Sequence, residues 1–239
     1  MATPAPSRLF TPLKVGNMAL QHRIAMAPLT RYRSTEDHIP IVPLMKEYYS
    51  QRASVPGTLL VTEATFIALE AGGYYNVPGI WSEEQIAAWK QITDGVHAKG
   101  SFIYLQLWHL GRAAHEEVAT AEGYKVKSSS PVPIGEGYAV PEEMTVEEIG
   151  ETVKKYAVAA GNAIRARKLV EENGDRDVVA VFGRYFISNP DLVYRVKEGV
   201  KLAEYDGSTF YLRKSPTGYI DQPFSKEFER EFGVQQSNL

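Results

Sequence analysis

Along this chain, short apolar runs alternate with longer segments in which apolar residues recur every three or four positions. Arg23-Ile-Ala-Met-Ala-Pro-Leu-Thr30, Thr58-Leu-Leu-Val-Thr-Glu-Ala-Thr65, Ser101-Phe-Ile-Tyr-Leu-Gln-Leu-Trp108 and Asp177-Val-Val-Ala-Val-Phe182 are of strand length and mostly apolar. Such runs mark strands covered on both faces, as in a parallel sheet. Between them the period changes. Pro43 to Ser54 has Leu44, Tyr48 and Gln51-Arg52 at helical spacing, and Ile86, Trp89, Ile92 and Val96 mark one face of a second helix. That helix starts at the capping box Ser82-Glu-Glu-Gln85 and stops at Gly100. A second capping box, Thr145-Val-Glu-Glu148, opens a pattern through Val146, Ile149, Val153, Tyr156, Ala160 and Ile164. It runs on towards residue 173, ~28 residues against a mean helix of ~11–12. Arg165-Ala-Arg-Lys168 interrupts it, as though two helices were joined there. Pro190 suits the first turn of a further helix ending at Gly199, and Leu13 to Leu20 reads as a small hairpin about Gly16-Asn17.

Strands alternating with helices predict right-handed βαβ units and a parallel sheet. Only about four units can be counted, whereas the closed barrel suggested by the pattern has eight. The expected fold is α/β, a partial (β/α) TIM-type barrel. It forms a single domain over 1–239, with N-terminal βα units in 1–165 and a last unit plus aromatic tail in 166–239.

Composition narrows the chemistry. At 239 residues, 44% hydrophobic and 11% aromatic, the chain has enough apolar material for a real core. A net charge of −3 argues against a nucleic-acid surface. The absence of cysteine excludes disulfides, thiolate nucleophiles and cysteine-ligated zinc. Met1 to Arg8 does not read as a secretory signal, and no run approaches the ~18 apolar residues of a membrane span. A cytoplasmic protein with a small-molecule substrate, and neither nucleic acid nor membrane as partner, is expected.

Several motifs carry a resemblance. They include Ala27-Pro-Leu-Thr-Arg31, Tyr49-Ser-Gln-Arg-Ala-Ser54, Thr62-Glu-Ala64, Gly72-Gly-Tyr74 and Pro78-Gly-Ile-Trp-Ser82. Leu105-Gln-Leu-Trp108, Phe182-Gly-Arg-Tyr-Phe-Ile-Ser-Asn-Pro-Asp-Leu192, Thr209-Phe-Tyr211 and Gly218-Tyr-Ile-Asp221 continue the series in order. Together they resemble the old yellow enzyme family, FMN-dependent ene-reductases on a (β/α)₈ barrel, and its fungal members in particular. The retained strands correspond to the family's first, second, third and eighth, so strands four to seven are missing.

The resemblance implies a flavin site at the C-terminal mouth. Pro28 and Thr30 would touch the ring, Ala64 would stand where many members have glycine, and Gln106 would bond the pyrimidine edge. Gly183 and Arg184 would grip the phosphate, and the chemistry suits them: glycine lets backbone amides approach, and arginine offers a bidentate charged contact. Tyr74, Trp108 and Tyr211 would surround the substrate. The substrate His–Asn or His–His pair and the proton-donating tyrosine belong to the missing strands, so no catalytic residue is assigned. His109 should face opposite to Trp108 by strand alternation, which favours a structural role over acid–base work. His97 lies near a helix end, a favourable place for positive charge.

The implied function is an FMN- and NADPH-dependent oxidoreductase of α,β-unsaturated carbonyls in fungal secondary metabolism. The alternatives are a non-redox isomerase or cyclase reusing the aromatic pocket, and an inactive truncated paralogue. Strands in the order 8-1-2-3 would leave two open edges, and closure by a homodimer is one remedy.

Overall fold

A computed structural model of the chain describes residues 7–165 and 179–234. A hairpin of β1 (Leu13–Val15) and β2 (Met18–Leu20) precedes β3 (Ile24–Met26), α1 (Val42–Arg52), β4 (Leu59–Phe66), α2 (Glu83–His97) and β5 (Phe102–Trp108). Then come α3 (Glu116–Ala121), β6 (Lys127–Ser128), β7 (Glu142–Glu143), α4 (Val146–Arg165), β8 (Ala180–Phe182), α5 (Arg184–Ser188), α6 (Leu192–Glu198) and α7 (Lys226–Phe232).

The main sheet has four parallel strands in the order β5-β4-β3-β8. This is the order expected of an unbroken arc, the last strand beside the first, and among the described residues it does not close into a barrel. The predicted last strand is described from Val179 and pairs from Ala180; Asp177, Val178 and the helix positions beyond Arg165 lie outside the described residues. β3 is shorter than its apolar run because Pro28 has no N–H to give a ladder. Both capping boxes form. Ser82 Oγ accepts from Gln85 N while Gln85 Oε1 accepts from Ser82 N, and Thr145 and Glu148 make the same reciprocal pair.

The two faces of the sheet differ. Ile24, Met26, Leu60, Ile103, Leu105 and Leu107 pack with α1 and α2 in the main core, which includes the fully buried Tyr48, Tyr49 and Trp89. The alternate side chains Phe102 and Leu59 turn to the other face and rest on the β1–β2 hairpin, which floors the arc. Burying this apolar surface stabilises the fold by roughly 25 cal/mol for each Å² removed from water.

Three of the most deeply buried large side chains are arginines: Arg31, Arg33 and Arg52. Their charge is met by backbone carbonyls. Arg31 donates to Phe210 O and Gly218 O, Arg33 to Ser215 O and Thr217 O, and Arg52 to Phe186 O and Ile187 O. Burial pulls both Arg33 and Arg52 down to about 10, which leaves them charged at neutral pH. The Tyr48 and Tyr219 rings stack at 3.9 Å with Arg52 over one and Arg33 over the other. These contacts hold the segment from Thr209 to Tyr219 against the loop that follows β3. Only glycine fits at Gly218, where φ is +65° and a Cβ would lie 2.1 Å from Thr209 Oγ1.

Candidate functional site

The C-terminal ends of the four strands lie side by side, and the rim they make carries the residues singled out from the sequence. Ala27 N donates to Phe182 O at 2.9 Å, so the loop with Pro28 and Thr30 begins beside Gly183 and Arg184. On the next two strands Ala64 pairs directly with Gln106. Pro28, Thr30 and Gly183 are half-buried, while the Gln106 amide and the Arg184 guanidinium are exposed.

The register of β4 slips between Val61 and Ala64. A bulge of this kind re-aims side chains, and here it has two effects. Thr62 Oγ1 accepts from Gln106 N at 3.1 Å and donates to Glu63 O, which fixes Gln106 on its edge strand. Glu63 turns inward, becomes fully buried, and its Oε2 accepts from Arg31 N at 3.2 Å. Tyr49 Oη accepts from Glu63 N at 2.9 Å. One continuous network thus joins Gln106, Thr62, Glu63 and the residue after Thr30. Burial pushes the Glu63 carboxyl up to about 7, opposed by the Arg31 amide and by the charges of Arg31 and Arg33. Its partner could not be named from the sequence, because a bulge is set by backbone register.

Above the rim stands an aromatic wall. Tyr74 lies 5.9 Å from Trp108, Tyr32 lies 6.3 Å from Tyr74, and Tyr211 lies 5.7 Å from Tyr32, all edge to face. The three aromatics predicted to surround a substrate are therefore joined, and the link between them is Tyr32, which sequence reasoning passed over. Its place two residues beyond Thr30 was the available signal. Tyr32 has φ +58°, a backbone conformation uncommon for a bulky residue and often found at functional sites. Gly73 brings Tyr74 to its place: φ is +127° and a Cβ would sit 2.4 Å from Ala114 Cβ.

His109 faces away from this wall, as strand alternation requires. It lies in a cavity of about 330 Å³ with Glu70, Tyr124 and Lys155, and its Nδ1 accepts from Gly111 N at 3.0 Å. Burial lowers its pKa, and the neutral ring closes the turn after β5. His97 is the last residue of α2.

The donor set at the rim suits FMN. The Gln106 amide can both donate and accept, as a pyrimidine edge demands, and Thr30 adds a hydroxyl. Arg184 leans on the Tyr205 ring at 5.8 Å and is paired with no carboxylate among the described ion pairs. Its charge therefore remains available to a phosphate beside Gly183.

The model of the NADH:flavin oxidoreductase / NADH oxidase family matches residues 8–171. The NADP-dependent oxidoreductase lnbE of Aspergillus flavus is 58% identical over 160 residues, 67% of this chain, and the chain spans 42% of that relative's length. The chanoclavine-I aldehyde reductase fgaOx3 of Penicillium roqueforti is 33% identical over 363 aligned positions, covering 94% of this chain and 98% of the relative. That alignment is longer than the chain's 239 residues. The crystal structure of old yellow enzyme from Pichia sp. AKU4542 superposes with a TM-score of 0.83 at 26% identity, over 96% of this chain and 95% of that one. The chain belongs to the NADH:flavin oxidoreductase / NADH oxidase family, as a member of old yellow enzyme type built on a partial barrel.

Proposed function

We propose that this chain holds FMN along its strand-end rim and is an oxidoreductase of α,β-unsaturated carbonyl compounds in fungal secondary metabolism, with NADPH as reductant. The observation that carries the reading is the gathering of Pro28, Thr30, Ala64, Gln106, Gly183 and Arg184 on one rim, through direct pairing of Ala64 with Gln106 and of Ala27 with Phe182. The printed name of the Aspergillus flavus relative, an NADP-dependent oxidoreductase, supports the choice of reductant. Bound there, FMN supplies hydride-transfer chemistry.

The chain's own residues do the rest. Arg184 and the Gly183 backbone take the phosphate, Gln106 orients the pyrimidine edge, and Thr30 and Pro28 line the ring. Tyr74, Trp108 and Tyr211, bridged by Tyr32, give a flat unsaturated substrate an aromatic wall and keep water from one side of it. Incubation with FMN followed by gel filtration tests the reading. Retention of flavin absorbance in the protein peak, lost in Arg184→Ala, is the expected result. A colourless peak overturns it.

A second reading, a non-redox isomerase or cyclase, is favoured by the integrity of the aromatic wall, whose ring contacts need no cofactor. Turnover independent of FMN and NADPH would select it.

A further inference from the structure

Neither outer strand of the four-stranded sheet, β5 or β8, has a partner on its far side among the described residues. Such edges present rows of free N–H and C=O groups that template pairing with another chain. The two faces are also unequally covered. On the face turned away from the helices Tyr104 is 44% exposed and Val181 56% exposed, and both lie where a closed barrel has its side-chain-filled interior. Between β5 and α4, Leu105, Leu107, Ala160, Ala163 and Ile164 line an apolar groove of about 240 Å³.

A second copy brings what is needed, four parallel strands of the same curvature. The order β8-β3-β4-β5 taken twice gives eight strands, the number that closes this kind of barrel. A two-fold axis along the barrel carries each strand onto one four places on and parallel to it. β5 of each copy then meets β8 of the other, at two identical junctions. Half of the barrel's stagger of about 8 residues is an even shift, so inward side chains meet inward side chains.

We infer that two copies close a single eight-stranded barrel through β5–β8 pairing, and that its mouth is a composite binding site. Arg184 of the partner subunit stands beside Trp108 and Gln106, which puts a guanidinium across the aromatic wall from the chain's own Arg184, poised for an anionic or carbonyl oxygen. Tyr104 and Val181 become barrel interior.

Sedimentation velocity on the full chain at micromolar concentration is expected to give twice the 26.6 kDa of one copy. The register is tested by disulfide capture, which is clean because the chain has no cysteine. The half-barrel shift sets Tyr104 opposite the partner subunit's Val179. Within one copy the two positions lie on opposite edges of the sheet, separated by at least ~14 Å and beyond disulfide reach. Tyr104→Cys combined with Val179→Cys should give a covalent dimer on mild oxidation, while each single variant stays uncrosslinked. Such a crosslink fixes the register, and with it the approach of Arg184 to Trp108. A folded wild-type monomer overturns the inference, and so does a dimer whose double variant does not crosslink. A monomeric wild-type mass overturns the inference even if the variants misfold. Flavin binding enters neither measurement, so this inference and the proposed function stand or fall separately.

Discussion

The Arg31 amide donates to Glu63 Oε2 at 3.2 Å across the gap between β3's exit loop and the bulge of β4. Glu63 is fully buried and its Oε1 has no hydrogen-bond partner, so the carboxyl is held by backbone more than by charge pairing. Glu63→Ala should cost about 1–3 kcal/mol in urea unfolding, because it strands the Arg31 N–H in the interior. Glu63→Gln keeps an acceptor and should cost less. Both should weaken FMN retention if the loop bearing Pro28 and Thr30 is positioned by this contact, with the alanine variant the weaker binder. Equal FMN retention in wild type and both variants would show that the loop holds its place without Glu63.

The acid limb of stability should be shaped by two buried groups that pull in opposite directions. His22 Nδ1 accepts from Ile24 N, so Nε2 carries the proton and donates to Thr58 Oγ1. Burial lowers its pKa to about 4, against 6.5 for an ordinary histidine. Between those values the unfolded chain binds a proton that the folded chain refuses, so this group's contribution falls as pH drops from about 6.5 to 4. Glu63 behaves in the reverse sense. Its folded pKa of about 7 lies above the ordinary 4.5, so the folded chain keeps a proton that the unfolded chain releases, and stability falls as pH rises from 4.5 to 7. Each shift corresponds to about 3 kcal/mol at most. The wild type should therefore show a shallow profile across this window. His22→Gln should leave stability declining as pH rises, and Glu63→Gln should leave it declining as pH falls. Thermal unfolding from pH 4 to 7 on the three proteins checks this, and parallel profiles would refute it.

The strands, both capping boxes and the hairpin were legible because each rests on local sequence: an apolar run, a Ser-x-x-Gln or Thr-x-x-Glu spacing, a Gly-Asn turn; the order of the strands came from the family resemblance. The rim residues were singled out by the family resemblance, and they share one edge because they end neighbouring parallel strands. What was hidden depends on distant contacts. The burial of Arg31 and Arg33 has no local signature, because their carbonyl partners lie 176 to 187 residues away. The bulge that turns Glu63 inward has no signature in Thr62-Glu-Ala64. Between Arg112 and Met144 lie the six residues of α3 and the two-residue strands β6 and β7, elements too short to show a period. In the Phe182–Leu192 motif, α5 was passed over for the same reason, and the helix expected from Pro190 begins only at Leu192, after Asp191 at its N-cap.

The arginine clamp gives a prediction of its own. Arg33 donates to Ser215 O, Phe210 O, Thr209 O and Thr217 O, and also bonds Arg31 O. Arg33→Met keeps much of the volume but leaves several buried carbonyls without a donor, a loss on the order of 3 kcal/mol. The segment around Tyr211 should then open before the rest of the fold. Limited proteolysis should cut the variant first between residues 205 and 218, at sites protected in the wild type. Unchanged protection there would mean that Arg31 alone is sufficient to hold the segment.

Catalysis of ordinary enone reduction is where the partial barrel should show its cost. Charge that develops on a substrate carbonyl oxygen needs donors already aimed at it, and removing one such donor lowers a rate by ~10²–10³. By the family resemblance those donors belong to strands this chain lacks, while Tyr74, Trp108 and Tyr211, which the same resemblance puts around a substrate, remain. Binding and turnover should therefore separate. Cinnamaldehyde should quench Trp108 fluorescence, and Trp108→Phe should remove that change and leave the signals of Trp81 and Trp89. NADPH-dependent reduction of the same aldehyde should run at least ~10²-fold below that of a full-length relative assayed alongside. A rate equal to the relative's would mean that other residues supply the donor, and the hydroxyl of Tyr32, central to the aromatic wall, would be the first to replace with Phe.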